Sequence, residues 1–437
     1  MNTNVKIPKR IAQALINSLK GGVVPRTGLG YVAVGRSAEI DALLRDVDVV
    51  SEGGASFRFI AGKYGSGKSF LLQTMRNYVM DRGFVVVDAD LSPERRLHGT
   101  QGQGLATYKE LIKNMSTKTR PDGGALSTIL ERWISSVMSS VADKGDAAPD
   151  SPGFGDAVRK EIRTVAASVS ELVHGFDFAK LLIAYYDSFV EGDDEKKAKV
   201  LKWFRGEYAT KSEAKSELGV NIIITDDDWY EYLKIFSSFF VMAGYSGLII
   251  LIDELVNIYK IPNSITRQYN YEKILTMYND ALQGKASHIG VIMSVTPQCL
   301  EDTRRGIYSY EALRSRLSSG KFSDGSSVDL LSPVIKLAPL TNEEMLVLTE
   351  KLTGIHASLY EYEPKITPQD MALFIKAEYS RVGAERHITP REIIRDWIEV
   401  LNILYADPGK TVAGLIGSEE FAPSAPAAPD GAFEFEL

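Results

Sequence analysis

Eight consecutive residues, Gly62-Lys63-Tyr64-Gly65-Ser66-Gly67-Lys68-Ser69, have the types and spacing needed to grip a chain of phosphates. A glycine, four residues and then Gly-Lys-Ser is the P-loop pattern. Gly62, Gly65 and Gly67, with Ser66 between the last two, let the backbone curl until its N–H groups converge. Lys68 brings a positive charge to the β and γ phosphates. The Ser69 hydroxyl is suited to Mg²⁺, and Phe70 closes the stretch assigned to the nucleotide. The apolar residues Phe57, Phe59, Ile60 and Ala61 read as a strand entering the loop. Phe70, Leu71, Leu72, Met75, Tyr78 and Val79 then recur at helical spacing. In that order the helix start turns its dipole toward the anion. A glycine-rich turn with no ligand leaves Lys68-Ser69 unexplained.

A second set of candidates lies downstream. Leu251-Ile252-Asp253-Glu254 is an apolar run ending in two carboxylates. In an open α/β sheet the C-terminal edge of the strands is where ligands bind. Asp253 is therefore assigned to Mg²⁺ and Glu254 to polarising the attacking water as general base. The run Ile289–Val295 ends in Thr296-Pro297, and Thr296 is the candidate for holding the water or the γ-phosphate. Arg316, with Arg314 second, is the candidate to reach a neighbouring subunit's site and stabilise transition-state charge. In His387-Ile388-Thr389-Pro390-Arg391, Thr389 reads as an N-cap and Pro390 as the first turn of a helix. That places Arg391 at the helix start, as a phosphate contact.

The elements that must position these groups follow from periodicity. An amphipathic helix is expected over residues 7–20, ended by Gly21-Gly22. Buried strands are expected at Phe84-Val85-Val86-Val87-Asp88-Ala89-Asp90, at Leu248-Ile249-Ile250-Leu251-Ile252, over Ile289–Val295 and at 334–337. Residues 106–140 are expected to be helical, 144–155 to be a loop, 156–240 to be mostly helical and 341–406 to be helical. Strands alternating with helices predict an α/β fold, a parallel sheet wrapped by helices. The expected organisation is an N-terminal helix and arm (1–30), a nucleotide-binding core (31–340) carrying a helical insertion (about 100–240), a helical lid (341–411) and a disordered acidic tail (412–437).

Composition excludes several classes. Of the 437 residues, 44% are hydrophobic and 24% charged, as in ordinary globular proteins. No apolar run reaches membrane-spanning length, and no membrane association is expected. A single cysteine, Cys299, excludes an internal disulfide and predicts a reducing, cytoplasmic setting. A net charge of −7 excludes a polycation that coats nucleic acid.

P-loop, Asp-Glu strand, polar strand tip, Ser315-Arg316 and lid arginine, in this order, resemble an AAA+ ATPase of the origin-recognition initiator branch. On that resemblance Val34 and Arg36, in Val34-Gly35-Arg36, lie near the adenine base. A closer likeness rests on Gly22-Val23-Val24-Pro25-Arg26-Thr27-Gly28, on Asp90-Leu91-Ser92-Pro93-Glu94-Arg95-Arg96-Leu97-His98-Gly99, on Trp203-Phe204-Arg205-Gly206-Glu207 and on Ala243-Gly244-Tyr245-Ser246-Gly247. Over residues 8–405 the chain resembles the BREX-associated P-loop ATPases of phage-defence islands. The resemblance implies ATP and Mg²⁺ as cofactors and an AAA+ fold with a lid. It also implies work on double-stranded DNA beside a helicase-like defence protein.

The residues themselves say less about DNA. Arg95-Arg96, Lys196-Lys197 with Lys199, and Arg304-Arg305 are short basic clusters, and no zinc-finger spacing or recognition helix is present. The expected geometry is a homo-oligomeric ring or spiral, a hexamer, that contacts the duplex backbone. Two other readings stand beside it: a nucleotide-gated protein-interaction switch that leaves DNA alone, and a structural subunit with little hydrolysis. Asp253-Glu254 speaks against the last. Phe433 and Phe435, alternating with Glu434 and Glu436, offer a segment able to dock on a partner.

Overall fold

The computed structural model describes residues 7–145, 148–149, 151–170, 175–318, 329–380 and 389–417. His387, Ile388, Phe433 and Phe435 lie outside the described residues. The chain divides into two units. One comprises 1–37, 62–74 and 337–437, and the other 38–61 and 75–336.

Among its described residues the larger unit holds one sheet of five strands: β1 (Ala55–Ala61), β2 (Val85–Asp90), β3 (Leu248–Asp253), β4 (Ile289–Val295) and β5 (Val334–Lys336). Their order is β2-β3-β4-β1-β5, and every pairing is parallel. This is the α/β architecture of a P-loop NTPase. The strands read as unbroken apolar runs because helices cover both faces of a parallel sheet. Two buried arginines brace it. Arg58 on β1 holds the Asp46 carboxylate through Nε and Nη2 and donates to Leu331 O at 2.7 Å. Arg76 pairs with Asp88 of β2 at 3.2 Å and donates to Ser116 Oγ at 2.6 Å and to Pro121 O.

Among the described residues, seven helices lie between β2 and β3. Their core is aromatic: Phe178 meets Phe204 and Phe236 edge-to-face at 5.1 and 5.3 Å, and Trp133 meets Phe239 at 5.2 Å. The stretch 106–140, expected to be helical, holds two helices, Gln103–Lys113 and Leu126–Lys144, with non-helical backbone between them. Pro121, Gly123 and Gly124 separate them. Both glycines have positive φ, and Ser116 bridges Val86 antiparallel, so the backbone leaves the helical region.

The smaller unit is helical. Lys9–Lys20, Asn342–Tyr360, Pro368–Ser380 and Pro390–Ala406 bury Leu15, Ile16, Leu352, Phe374 and Trp397 in one core, with Phe70 packed against it. Trp397 Nε1 donates to Thr349 O and Thr353 Oγ1, both at 3.1 Å. The N-terminal helix thus shares a core with the C-terminal helices. Val412–Ile416, where the tail is expected to begin, is a short helix started by Thr411.

Candidate functional site

The smaller unit contains the P-loop. Gly65 and Gly67 have φ of 73° and 95°, the left-handed region that glycine enters without strain. A side chain could not replace two of the hydrogens in this loop. A Cβ on Gly62 would stand 2.4 Å from Ser66 Oγ, and one on Gly65 2.6 Å from Thr389 Cβ. Lys68 curls inward, with Nζ 3.0 Å from Gly62 O and 3.0 Å from Lys63 O. Ser66 Oγ is buried and, among the described residues, has no hydrogen-bond partner. Lys68 and Ser69 begin the helix Lys68–Asp81, whose first-turn N–H groups have no partner within the helix itself. Inward cation, converging loop and an unsatisfied buried hydroxyl fit a polyphosphate.

Three other expected residues belong to this unit. Arg36 is buried and donates to Ala338 O at 2.8 Å and Ser66 O at 3.3 Å, so its guanidinium steadies the loop backbone. Val34 packs half-buried against the helical core. Arg391 stands in the first turn of Pro390–Ala406, behind Thr389, whose N–H donates to Glu392 Oε2 at 2.9 Å.

The larger unit gathers carboxylates at one edge of the sheet. Asp253 ends β3 and is buried. Its Oδ1 accepts from the Glu254 N–H at 2.8 Å and from the Ser294 hydroxyl. Glu254, the next residue, has a φ of 61°. A non-glycine residue there is uncommon and costs on the order of 1 kcal/mol or more, which the surrounding bonds must hold in place. Asp90 ends β2 in register with Asp253. Burial of its carboxyl, then the charges of Asp253, Asp88 and Glu254, push it up to about 6. Thr296 follows β4 and caps the helix Pro297–Glu301, accepting from Cys299 N at 3.2 Å. That leaves its hydroxyl hydrogen to donate elsewhere. The Cys299 thiol, pushed up to about 12 by burial, is inert.

Arg314 and Arg316 lie on the helix Glu311–Leu317. Arg314 pairs with Glu311 at 2.5 Å, while Arg316 is exposed and donates to Ala312 O of its own helix at 2.7 Å. Each of the basic clusters makes bonds within the protein. Lys197 pairs with Glu131 and Lys199 with Glu195. Arg95 lies 3.8 Å from Glu110, and Arg305 lies over Tyr259, 5.5 Å from the ring centroid.

Asp90, Ser294 and Tyr64 were not singled out from sequence. Asp90 carried the same signal as Asp253, an acid ending an apolar run. Ser294 is the single hydroxyl of its strand. Among the described residues no set of three or more His, Cys, Asp or Glu side chains is arranged to hold a metal, and no helix is long and apolar enough to cross a membrane. Mg²⁺ needs no such cage, because it is bound through one or two protein oxygens together with substrate phosphates.

The family model described as BREX system ATP-binding protein BrxC/D matches residues 7–420, and the chain belongs to that family. Membership makes it an ATP-binding component of a phage-defence system, with partners inside that system. No curated protein matches the chain.

Proposed function

We propose that this member of the BREX ATP-binding family is an AAA+ ATPase that hydrolyses ATP at subunit interfaces of a ring or spiral, a hexamer. Working in the cytoplasm with a helicase-like partner, it uses the cycle to load, clamp or move on double-stranded DNA. The observation that carries this reading is a P-loop with an inward lysine in the same chain as a strand-ending Asp253-Glu254 held at a left-handed bend.

The proposed roles follow from side-chain chemistry. Amides of Gly62, Gly65, Ser66, Gly67 and Phe70 and the Lys68 ammonium neutralise the phosphates. Val34 and Arg36 border the base. Mg²⁺, when bound, draws charge from the phosphate oxygens. Ser69 and Asp253 would hold it. Glu254 accepts a proton from the attacking water, and Thr296 donates its hydroxyl hydrogen toward the γ-phosphate. Arg391 contacts phosphate from the lid. Arg316, or failing that Arg314, supplies charge in trans, worth about 10³–10⁵ in rate where such arginines act. Loss of the γ-phosphate removes a partner common to lid and neighbour and shifts subunit packing between two arrangements.

The test is ATP turnover with and without long duplex DNA, at low and high salt, with Glu254→Gln as the blank. Salt-sensitive stimulation by DNA is the expected result. Turnover indifferent to DNA overturns the DNA-acting reading and favours the protein-interaction switch.

A further inference from the structure

Ser294 is the one hydroxyl in β4, whose other residues are Ile289, Gly290, Val291, Ile292, Met293 and Val295. It is 1% exposed, and a hydroxyl buried that deeply must find a partner or cost about 1–3 kcal/mol. Its partner is Oδ1 of Asp253 on the neighbouring strand, where Ile252 and Met293 are paired one step earlier. The same oxygen accepts the Glu254 N–H at 2.8 Å. Two donors on one oxygen stop the carboxylate from rotating. They also leave Oδ2 without a protein hydrogen bond among the described residues.

We propose that Ser294 is a positioning residue for both catalytic carboxylates: it fixes Oδ1 of Asp253 so that Oδ2 is presented to a divalent cation or its water, and so that the Glu254 backbone is held at its left-handed bend. The inference rests on the ATPase reading and names a residue which that reading does not use. Ser294 reaches Glu254 only through Asp253, because the oxygen that accepts the serine hydroxyl also accepts the Glu254 N–H. It also stands two residues before Thr296, the residue that follows β4. A pull on β4 from Thr296 at its end therefore reaches the Asp253 carboxylate through Ser294.

The test compares the wild type, Ser294→Ala and Ser294→Thr in full-length protein. ATP affinity is titrated calorimetrically in EDTA and across a Mg²⁺ series, and amide exchange is followed over residues 251–259. In Ser294→Ala, ATP binding in EDTA should stay within about twofold of wild type. Half-saturating Mg²⁺ should rise about tenfold or more, and the Glu254 amide should exchange faster. Ser294→Thr keeps the donor and should restore both values. A Ser294→Ala protein with wild-type Mg²⁺ dependence and wild-type exchange overturns the proposal. A merely structural serine would lower the melting temperature without moving the Mg²⁺ midpoint. A wild type whose ATP binding ignores Mg²⁺ overturns the ATPase reading itself, and the inference falls with it. If Ser294→Ala does not fold, Ser294→Cys, close in shape and a weak donor, carries the same comparison.

Discussion

The guanidinium of Arg391 lies over the ring of Tyr64, 4.9 Å from its centroid, and Nη1 donates to the Tyr64 hydroxyl at 2.8 Å. One residue lies in the first turn of Pro390–Ala406 and the other belongs to the P-loop. A cation over an exposed ring contributes about 0.5–1 kcal/mol, and the hydrogen bond from a charged group adds to it. An arginine held this way must give up the tyrosine before it can serve a phosphate. We expect Tyr64→Leu to tighten ATP binding about three- to tenfold and Arg391→Ala to weaken it about tenfold, in a fluorescent-nucleotide titration. Unchanged affinity in Tyr64→Leu would show that ring and phosphate do not compete.

Lys68 and Glu254 are assigned to different stages, so their variants should separate. Lys68→Ala is expected to lower nucleotide affinity more than tenfold. Glu254→Gln is expected to bind ATP within about twofold of wild type while turnover falls about 10²–10⁴-fold, the range for losing a general base. Normal hydrolysis by Glu254→Gln would remove Glu254 from that role.

Arg316 is exposed on its helix, whereas Arg314 is tied to Glu311. Arg316→Ala should therefore cost the assembled enzyme about 10³-fold in turnover, with ATP binding by the isolated subunit intact. Arg314→Ala should cost less than tenfold. Mixing Arg316→Ala with Glu254→Gln subunits tests the role in trans, since an interface joining intact Arg316 to intact Glu254 should recover activity. No recovery in the mixture would count against a trans arginine at this position.

Arg76 bears on stability. Removing it leaves Asp88 with a buried charge that has lost its guanidinium, and breaking such a pair costs about 3–5 kcal/mol. Arg76→Leu should lower the unfolding free energy measured in urea by that much, and the midpoint with it. Arg76→Leu combined with Asp88→Leu should recover part of the loss. Equal midpoints for wild type and the single variant would show that the pair contributes nothing.

Asp90 predicts a pH dependence. A carboxyl raised from 3.8 to about 6 binds its proton more tightly when folded than when unfolded. Stability is then fully present below about pH 4 and falls as pH rises through 6. A shift of that size corresponds to about 3 kcal/mol at full strength. The residue nevertheless keeps contact with water, and screening trims the effect to about 1 kcal/mol. In Mg²⁺-free buffer, Asp90→Asn should match wild type near pH 4 and exceed it by about that amount at pH 7.5. Parallel pH–stability curves would contradict the shift.

The parts legible from sequence were local strings. The P-loop and the Asp-Glu strand end declare themselves because each function needs adjacent residues in a fixed order. What stayed hidden depends on register or distance. Asp90 and Ser294 acquire meaning only once β2, β3 and β4 are laid side by side, and Tyr64 meets Arg391 across 327 positions. The break after Lys113 was missed because apolar spacing resumes after Gly124 as though the helix had continued. Arg36, expected near a base, holds carbonyls of Ser66 and Ala338, contacts that no local pattern encodes.

The P-loop unit is assembled from three separated stretches of chain, and this sets a timetable for its birth. Lys9 pairs with Glu361, 352 positions later. At about 5–20 residues per second, a ribosome needs roughly 20–70 s to deliver the second after the first. For that interval Leu15, Ile16 and Leu19 have no C-terminal helices to pack against, and the P-loop has no finished scaffold. A chain that terminates before residue 337 carries the nucleotide motif without the helices that complete its unit. Newly made protein should therefore gain nucleotide affinity late and in a single step, with truncated chains left to chaperones and proteases.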